Sequence, residues 1–296
     1  MPRPLATSLL ILTTFLWGMA FVAQKSAMES LGPLTFTAIR YALGGLLVLP
    51  LVAWELRRSR AAVTARDWRL IALVAVAFFV AAWLQQLGLT MTSVTNAGFI
   101  TSLYVLFVPF FALGFLRQRP HWVIWVGMPL AILGVYLLNG ARLDSFNAGD
   151  LFVLGGALGW AVQILLIGIV SRRTGLPVTI SAICFATAAV LAAGGAALTE
   201  TPTLAAIGDG WLEILYAGIC STAIAFTLQA VAQQYVPPSN AAIILSAEGL
   251  FAAIGGALLL NERLTVIGYA GAALIFAAIL IVELVPALRQ RRESIA

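Results

Sequence analysis

Apolar runs of about twenty residues recur along this chain, most of them closed by arginine, proline or glycine. A helix of that length rises about 30 Å, the thickness of a bilayer's hydrocarbon core. Composition points the same way, with 61% hydrophobic and 10% charged residues and a mean hydropathy of +1.00. A water-soluble domain of 296 residues needs a charged surface that this chain lacks. The expected class is an all-α membrane protein of ten transmembrane helices. The spans are read at 5–28, 35–55, 68–89, 95–116, 122–139, 150–170, 178–198, 211–235, 239–260 and 264–285.

The net charge of +5 is not a nucleic-acid signal, because the basic residues sit in short runs between spans. With the N-terminus in the cytoplasm, thirteen arginines lie inside: Arg3, Arg57, Arg58, Arg60, Arg66, Arg69, Arg117, Arg119, Arg172, Arg173, Arg289, Arg291 and Arg292. Only Lys25, Arg40, Arg142 and Arg263 then fall at or near the outer side, and both termini are cytoplasmic. One Lys against sixteen Arg, with abundant Ala and Gly, points to a GC-rich bacterial gene and hence to the inner membrane. Leu5 to Met28 is too long for a signal-peptide core and is expected to stay as the first helix. Cys184 and Cys220 lie in apolar segments and read as small buried hydrophobes, with no metal or disulfide framework.

Self-comparison at an offset of 143 to 144 residues places Trp17 on Trp160, Pro33 on Pro177, Trp68 on Trp211 and Gln86 on Gln229. One residue further on, Asn96-Ala97 falls on Asn240-Ala241, Arg119 on Arg263 and Gly127 on Gly271. Colinearity carries the weight here, since single matches mean little in an apolar chain. The reading divides the chain into repeats at 1–139 and 140–296. Five spans per half is an odd number, so the second half enters from the opposite side and the repeats are inverted. Two inverted halves that exchange conformations give alternating access, with a site near the midplane between them.

Particular residues carry a family likeness. They are Phe15-Leu16-Trp17-Gly18, Arg40 early in the second span, and the 99–109 stretch from Phe99 to Pro109. The ninth span adds Leu245-Ser246-Ala247-Glu248-Gly249-Leu250-Phe251, followed by Leu260-Asn261-Glu262-Arg263-Leu264-Thr265. Over essentially its whole length the chain resembles the EamA type of the drug/metabolite transporter superfamily. Many members have Pro directly after the ninth-span Glu, where this chain has Gly249. The resemblance implies a five-plus-five fold and export of metabolites. Within it, the nearest group is the YddG-like amino-acid exporters, which favour aromatic substrates.

Glu248 is the deepest carboxylate, roughly nine residues and ~13 Å into its span. A charge there costs at least about 2.5–3.5 kcal/mol, so it is protonated, paired or beside water. It is either a substrate-amine or proton site, or a structural carboxylate bonded to neighbouring helices. Trp17 and Trp160 sit near the centres of equivalent spans, away from the interfacial belts usual for Trp. They read as aromatic walls of a cavity or as packing residues. Eight-residue spacing places Asn96 with Tyr104, and Asn240 with Glu248, on shared faces of continuous helices. Gln24, Gln86, Gln163, Gln229 and Ser246 complete the candidate lining, unless these polar groups simply bond one another between helices. Lys25 and Arg40, within one or two turns of the outer end, fit snorkelling, and the alternative role for them is attracting a carboxylate.

These features favour a secondary exporter of small metabolites, amino acids including aromatic ones. Its cavity would be lined by the first, third, fourth, sixth, eighth and ninth spans. The alternatives are an exporter of other metabolites or drugs, a channel, or a scaffold. No paired His and carboxylates, metal motif or Ser with a nearby His supports an enzyme. No nucleotide-binding motif supports direct ATP drive. The expected partners are a small-molecule substrate and the lipid bilayer, with no cofactor, no metal and no nucleic acid.

Overall fold

The computed structural model describes residues 1–59, 63–117, 119–138, 141, 147–259 and 266–293, and among them all regular structure is helical. Arg60, Arg142, Arg263 with the rest of the 260–265 motif, and most of the 140–149 link lie outside the described residues. The order is α1 (Arg3–Ala27), α2 (Pro33–Arg58), α3 (Ala65–Leu89), α4 (Val94–Ser102), α5 (Tyr104–Leu116), α6 (Trp122–Leu138) and α7 (Ala148–Thr174). Then come α8 (Pro177–Thr199), the short α9 (Leu204–Asp209), α10 (Trp211–Leu215), a π-helical stretch (Tyr216–Phe226) and α11 (Thr227–Ala232). The last are α12 (Pro238–Leu245), α13 (Glu248–Leu259) and α14 (Val266–Glu293). Among the described residues, eight units are long and apolar enough to cross a membrane, namely α1, α2, α3, Val94–Phe115, α7, α8, Trp211–Ala232 and Pro238–Leu259. Two shorter apolar helices, Trp122–Leu137 and Val266–Val282, accompany them.

Local chemistry sets the helix ends. Prolines open α2, α8 and α12, where their missing N–H costs nothing. Capping boxes open α3 (Thr64 with Asp67) and α7 (Asn147 with Asp150). Gly175 closes α7 at φ 67°, a left-handed conformation that favours glycine. Lys25 Nζ does not snorkel, because it donates to the carbonyls of Leu89 (2.8 Å) and Thr92 (3.0 Å) and so caps the end of α3. Large apolar side chains such as Leu46, Val190 and Phe115 face outward, as lipid contact requires. Trp54, Trp68, Trp122 and Trp211 are exposed close to helix ends, where the headgroup layer lies.

The helices pack as α2 with α8, α3 with α7, α6 with α14, and α1 with α13 and the π stretch. Glu55, at the end of α2, accepts from Val178 N (3.1 Å), Thr179 N (2.7 Å) and Thr179 Oγ1 (2.7 Å) at the start of α8. Glu200, just past the end of α8, accepts from Leu34 N (2.9 Å), Thr35 N (2.8 Å) and Thr35 Oγ1 (2.6 Å) at the start of α2. The two helices therefore run antiparallel, each carboxylate satisfying the orphan N–H groups of the other.

Two spans are interrupted, neither by a proline at the break. Near Leu103 the bonds tighten to Leu103 N→Ile100 O (3.1 Å) and Leu106 N→Leu103 O (2.9 Å). Near Ser246 they tighten to Ala247 N→Ile244 O (3.2 Å) and Gly249 N→Ser246 O (3.3 Å). The breaks touch, because Ser102 Oγ reaches both Gly98 O (2.8 Å) and Ser246 O (3.2 Å). Tyr104 and Glu248 begin the helices that resume beyond them.

Candidate functional site

The breaks, the π stretch and the middle of α7 meet around a narrow, closely packed interior cleft. Six of the eleven lining candidates named from sequence do line it: Trp17, Gln24, Tyr104, Trp160, Gln163 and Glu248. All six are buried. Glycine draws two of the walls together. A Cβ on Gly18 would sit 2.3 Å from Phe251 Cβ and 2.8 Å from the Glu248 carbonyl, so α1 rests directly on the start of α13.

The apolar floor is a packed aromatic cluster. Trp160 stacks on Phe226 at 5.5 Å and 24°, while Trp17 meets the same ring at 4.5 Å. Phe78 stands edge-on to Trp160 at 5.4 Å and touches Tyr41 at 5.0 Å. Phe226, from the π stretch, thus contacts both indoles. Trp17 Nε1 donates to the Ser221 carbonyl (3.1 Å) and Thr13 Oγ1 to the Ala225 carbonyl (3.3 Å), both within that stretch. π-helical turns misalign the backbone ladder and often mark functional sites.

The polar rim has two unlike ends. Trp160 Nε1 donates to Gln85 Oε1 (2.7 Å), Gln85 Nε2 reaches Gln24 Oε1 (3.5 Å), and Arg40 Nη1 donates to that same oxygen (2.9 Å). Arg40 Nη2 donates to the Tyr41 hydroxyl (2.8 Å), and the guanidinium lies over the Tyr41 ring at 4.4 Å. At the other end the Tyr104 hydroxyl and the Glu248 carboxyl are buried beside one another, near enough to interact, but without a well-aligned hydrogen bond to Glu248 Oε1. Among the described residues, no three His, Cys, Asp or Glu side chains gather as a metal site would require.

Five other candidate residues do not line this cleft. Gln86 is buried one position off, its amide donating to the Gln24 carbonyl (3.1 Å). Gln229 forms a reciprocal amide pair with Gln163 (3.1 and 3.2 Å), joining α11 to α7 behind the cleft. Asn96 is half-buried in the first turn of α4, its backbone N–H capped by Ser93. Asn240 reaches toward the Val282 carbonyl of α14 (3.4 Å), and Ser246 Oγ donates to Ile243 O (2.7 Å). Conversely, α2 joins the lining through Arg40 and Tyr41, where six other spans were expected. Gln85, Thr101, Ser221 and Phe226 also line it, and no sequence signal separated them from their neighbours.

Known proteins share this architecture. A crystal structure matches 99% of this chain and 100% of its own at a TM-score of 0.78 and 21% identity, a likeness of fold alone. In sequence, the chain is 31% identical over 285 residues to an uncharacterized transporter of Archaeoglobus fulgidus, covering 93% of this chain and 84% of that protein. It is 27% identical over 281 residues to an S-adenosylmethionine/S-adenosylhomocysteine transporter of Chlamydia muridarum, covering 88% and 86%. It is 26% identical over 287 residues to the uncharacterized inner membrane transporter YedA of Escherichia coli, covering 91% and 87%. The model of the EamA-like transporter family matches twice, at residues 5–140 and 147–284. A helical bundle with membrane-length apolar spans, a polar cleft inside it and a double match over nearly its whole length make this chain a multi-pass membrane protein that belongs to the EamA-like transporter family.

Proposed function

We propose that this chain is a secondary transporter that exports small amphipathic metabolites, amino acids with flat side chains among them, across a bacterial inner membrane. The observation that carries the reading is the cleft itself, where a carboxylate with only the Tyr104 hydroxyl beside it, and no well-formed bond on Oε1, stands in the same enclosure as two buried indoles. Rings offer area and stacking to a flat substrate, while Glu248 offers an acceptor to its amine. Phe226 already fills the contact between the indoles, so a flat substrate would take its place as the π stretch shifts.

Alternating access follows if residues 1–139 and 140–296 are inverted five-helix repeats in a ten-helix protein. Two features support that arrangement. The breaks at Leu103 and Ser246 fall at nearly the repeat offset, and the Glu55 and Glu200 clamps exchange roles between α2 and α8. Cytoplasmic termini follow from the arginine bias, and an inner-membrane location fits that of the Escherichia coli relative, the inner membrane transporter YedA. Cysteine labelling at Arg58 and Arg117 from the cytoplasmic side only is the expected topology result.

A second reading draws on the relatives from Chlamydia muridarum and Chlamydia trachomatis that are named S-adenosylmethionine/S-adenosylhomocysteine transporters. Such substrates join an amino-acid end to a flat purine, so the same cleft chemistry applies. Counterflow in proteoliposomes separates the readings. Vesicles preloaded with unlabelled substrate should accumulate the labelled compound in a saturable way, tested with tryptophan, threonine and S-adenosylmethionine. Tryptophan counterflow exceeding that of threonine supports the first reading. Counterflow of S-adenosylmethionine alone supports the second, and non-saturable leakage of all three would indicate a channel.

A further inference from the structure

Arg40 is 2% exposed inside a membrane-spanning bundle, and it lines the cleft. A guanidinium stays charged in any protein, so burial must be offset by partners. The partners present are all neutral: the Gln24 amide oxygen, the Tyr41 hydroxyl, and the ring faces of Tyr41 and Phe36, the latter at 5.5 Å. Arg173 pairs with Asp67 elsewhere in the bundle, whereas among the described residues no carboxylate bonds Arg40. Its Nε–H has no acceptor at all. That donor, with a neighbouring η N–H, forms the side-on fork that takes a carboxylate through two parallel bonds. The cleft thus holds one cation and one acid, on α2 and α13, neither neutralised by the other in a salt bridge.

We infer that Arg40 is the docking site for a substrate carboxylate, which makes the cleft selective for the zwitterionic α-amino acid group, with its ammonium toward Glu248 and its side chain on the aromatic floor. The inference rests on the transporter reading and narrows it. Decarboxylated amines and deaminated acids would each leave one buried charge without its partner and so bind poorly. Gln24 and Tyr41 act as positioning residues, fixing two of the guanidinium's donors and leaving Nε–H for the ligand.

The test is binding of tryptophan, tryptamine and indole-3-propionate to the purified full-length protein, for the wild type, Arg40→Gln and Arg40→Lys. S-adenosylmethionine and its decarboxylated form make a second matched pair. The wild type should bind each amino acid about tenfold to hundredfold more tightly than its decarboxylated partner. Arg40→Gln should abolish that preference by weakening the amino acid alone, leaving tryptamine within about threefold. Arg40→Lys, which keeps the charge but loses the fork, should fall between. A wild type that binds amine and amino acid equally would overturn the assignment with no variant needed. So would an Arg40→Gln protein that loses both ligands in parallel, because Arg40 would then only hold Gln24 and Tyr41 in place. Should the wild type bind none of the five compounds, the amino-acid reading itself fails and the Arg40 assignment with it.

Discussion

Glu55 and Glu248 are both buried carboxylates in one protein, and they are served in opposite ways. Glu55 accepts three hydrogen bonds across the α2–α8 pair, and Glu200 makes the same set of three at the other end. Glu248, at the restart of a broken helix, has only the poorly aligned Tyr104 hydroxyl beside it and lacks a well-formed hydrogen bond on Oε1. A carboxylate whose bonds are complete stabilises the fold. One that is left incomplete beside a cleft holds capacity for something outside the chain. The difference separates a frame, the clamped ends of the α2–α8 pair, from a centre built to bind.

The sharpest way to break that contrast is Glu248→Gln, which keeps size and removes charge. Flux of an amino acid should fall about hundredfold while expression and thermal stability stay near wild type. A loss of folding would place Glu248 in the frame instead. Next come Trp17→Ala and Trp160→Ala. Each should weaken apparent affinity for tryptophan by about 1–3 kcal/mol and affinity for threonine far less, read from competition in the same vesicles.

The frame predicts the reverse pattern. Glu55→Ala strips the start of α8 of its acceptor and should cost about 1–3 kcal/mol of stability, seen as a lower unfolding midpoint. Affinity of the protein that remains folded should change less than about twofold. The smallest effect belongs to Gln86→Leu. Gln86 does not line the cleft and its Oε1 already lacks a partner, so transport should stay within about twofold of wild type. Gln85→Leu, by contrast, orphans the Trp160 N–H and should impair binding measurably.

This pair of glutamines shows how far the amino-acid sequence can be read. Membrane-length helices were legible because they depend on run length alone, and Trp17, Trp160, Tyr104 and Glu248 line one cleft. Rotational phase was not. In a helix apolar all round, no amphipathic stripe says whether Gln85 or Gln86 faces inward, and adjacent residues point about 100° apart. The eight-residue spacing that joined Asn96 to Tyr104 and Asn240 to Glu248 assumed unbroken helices. The breaks at Leu103 and Ser246 interrupt both, without proline to announce them. Arg40 lies close enough to its helix end to snorkel, yet it turns inward to Gln24 and Tyr41, a choice made by tertiary contacts. The π stretch at Tyr216–Phe226 likewise has no local sequence mark, though it supplies both Phe226 and the carbonyl that holds Trp17.

The central claim is that the molecule carried across the membrane sits in the cleft between the frame and the broken helices. A structure of the full-length protein determined with tryptophan bound tests it most directly. The account predicts the indole against Trp17 or Trp160, the ammonium within hydrogen-bond distance of Glu248 and the carboxylate on Arg40. Tryptophan bound elsewhere, with Glu248 and Arg40 still without a ligand, would contradict it.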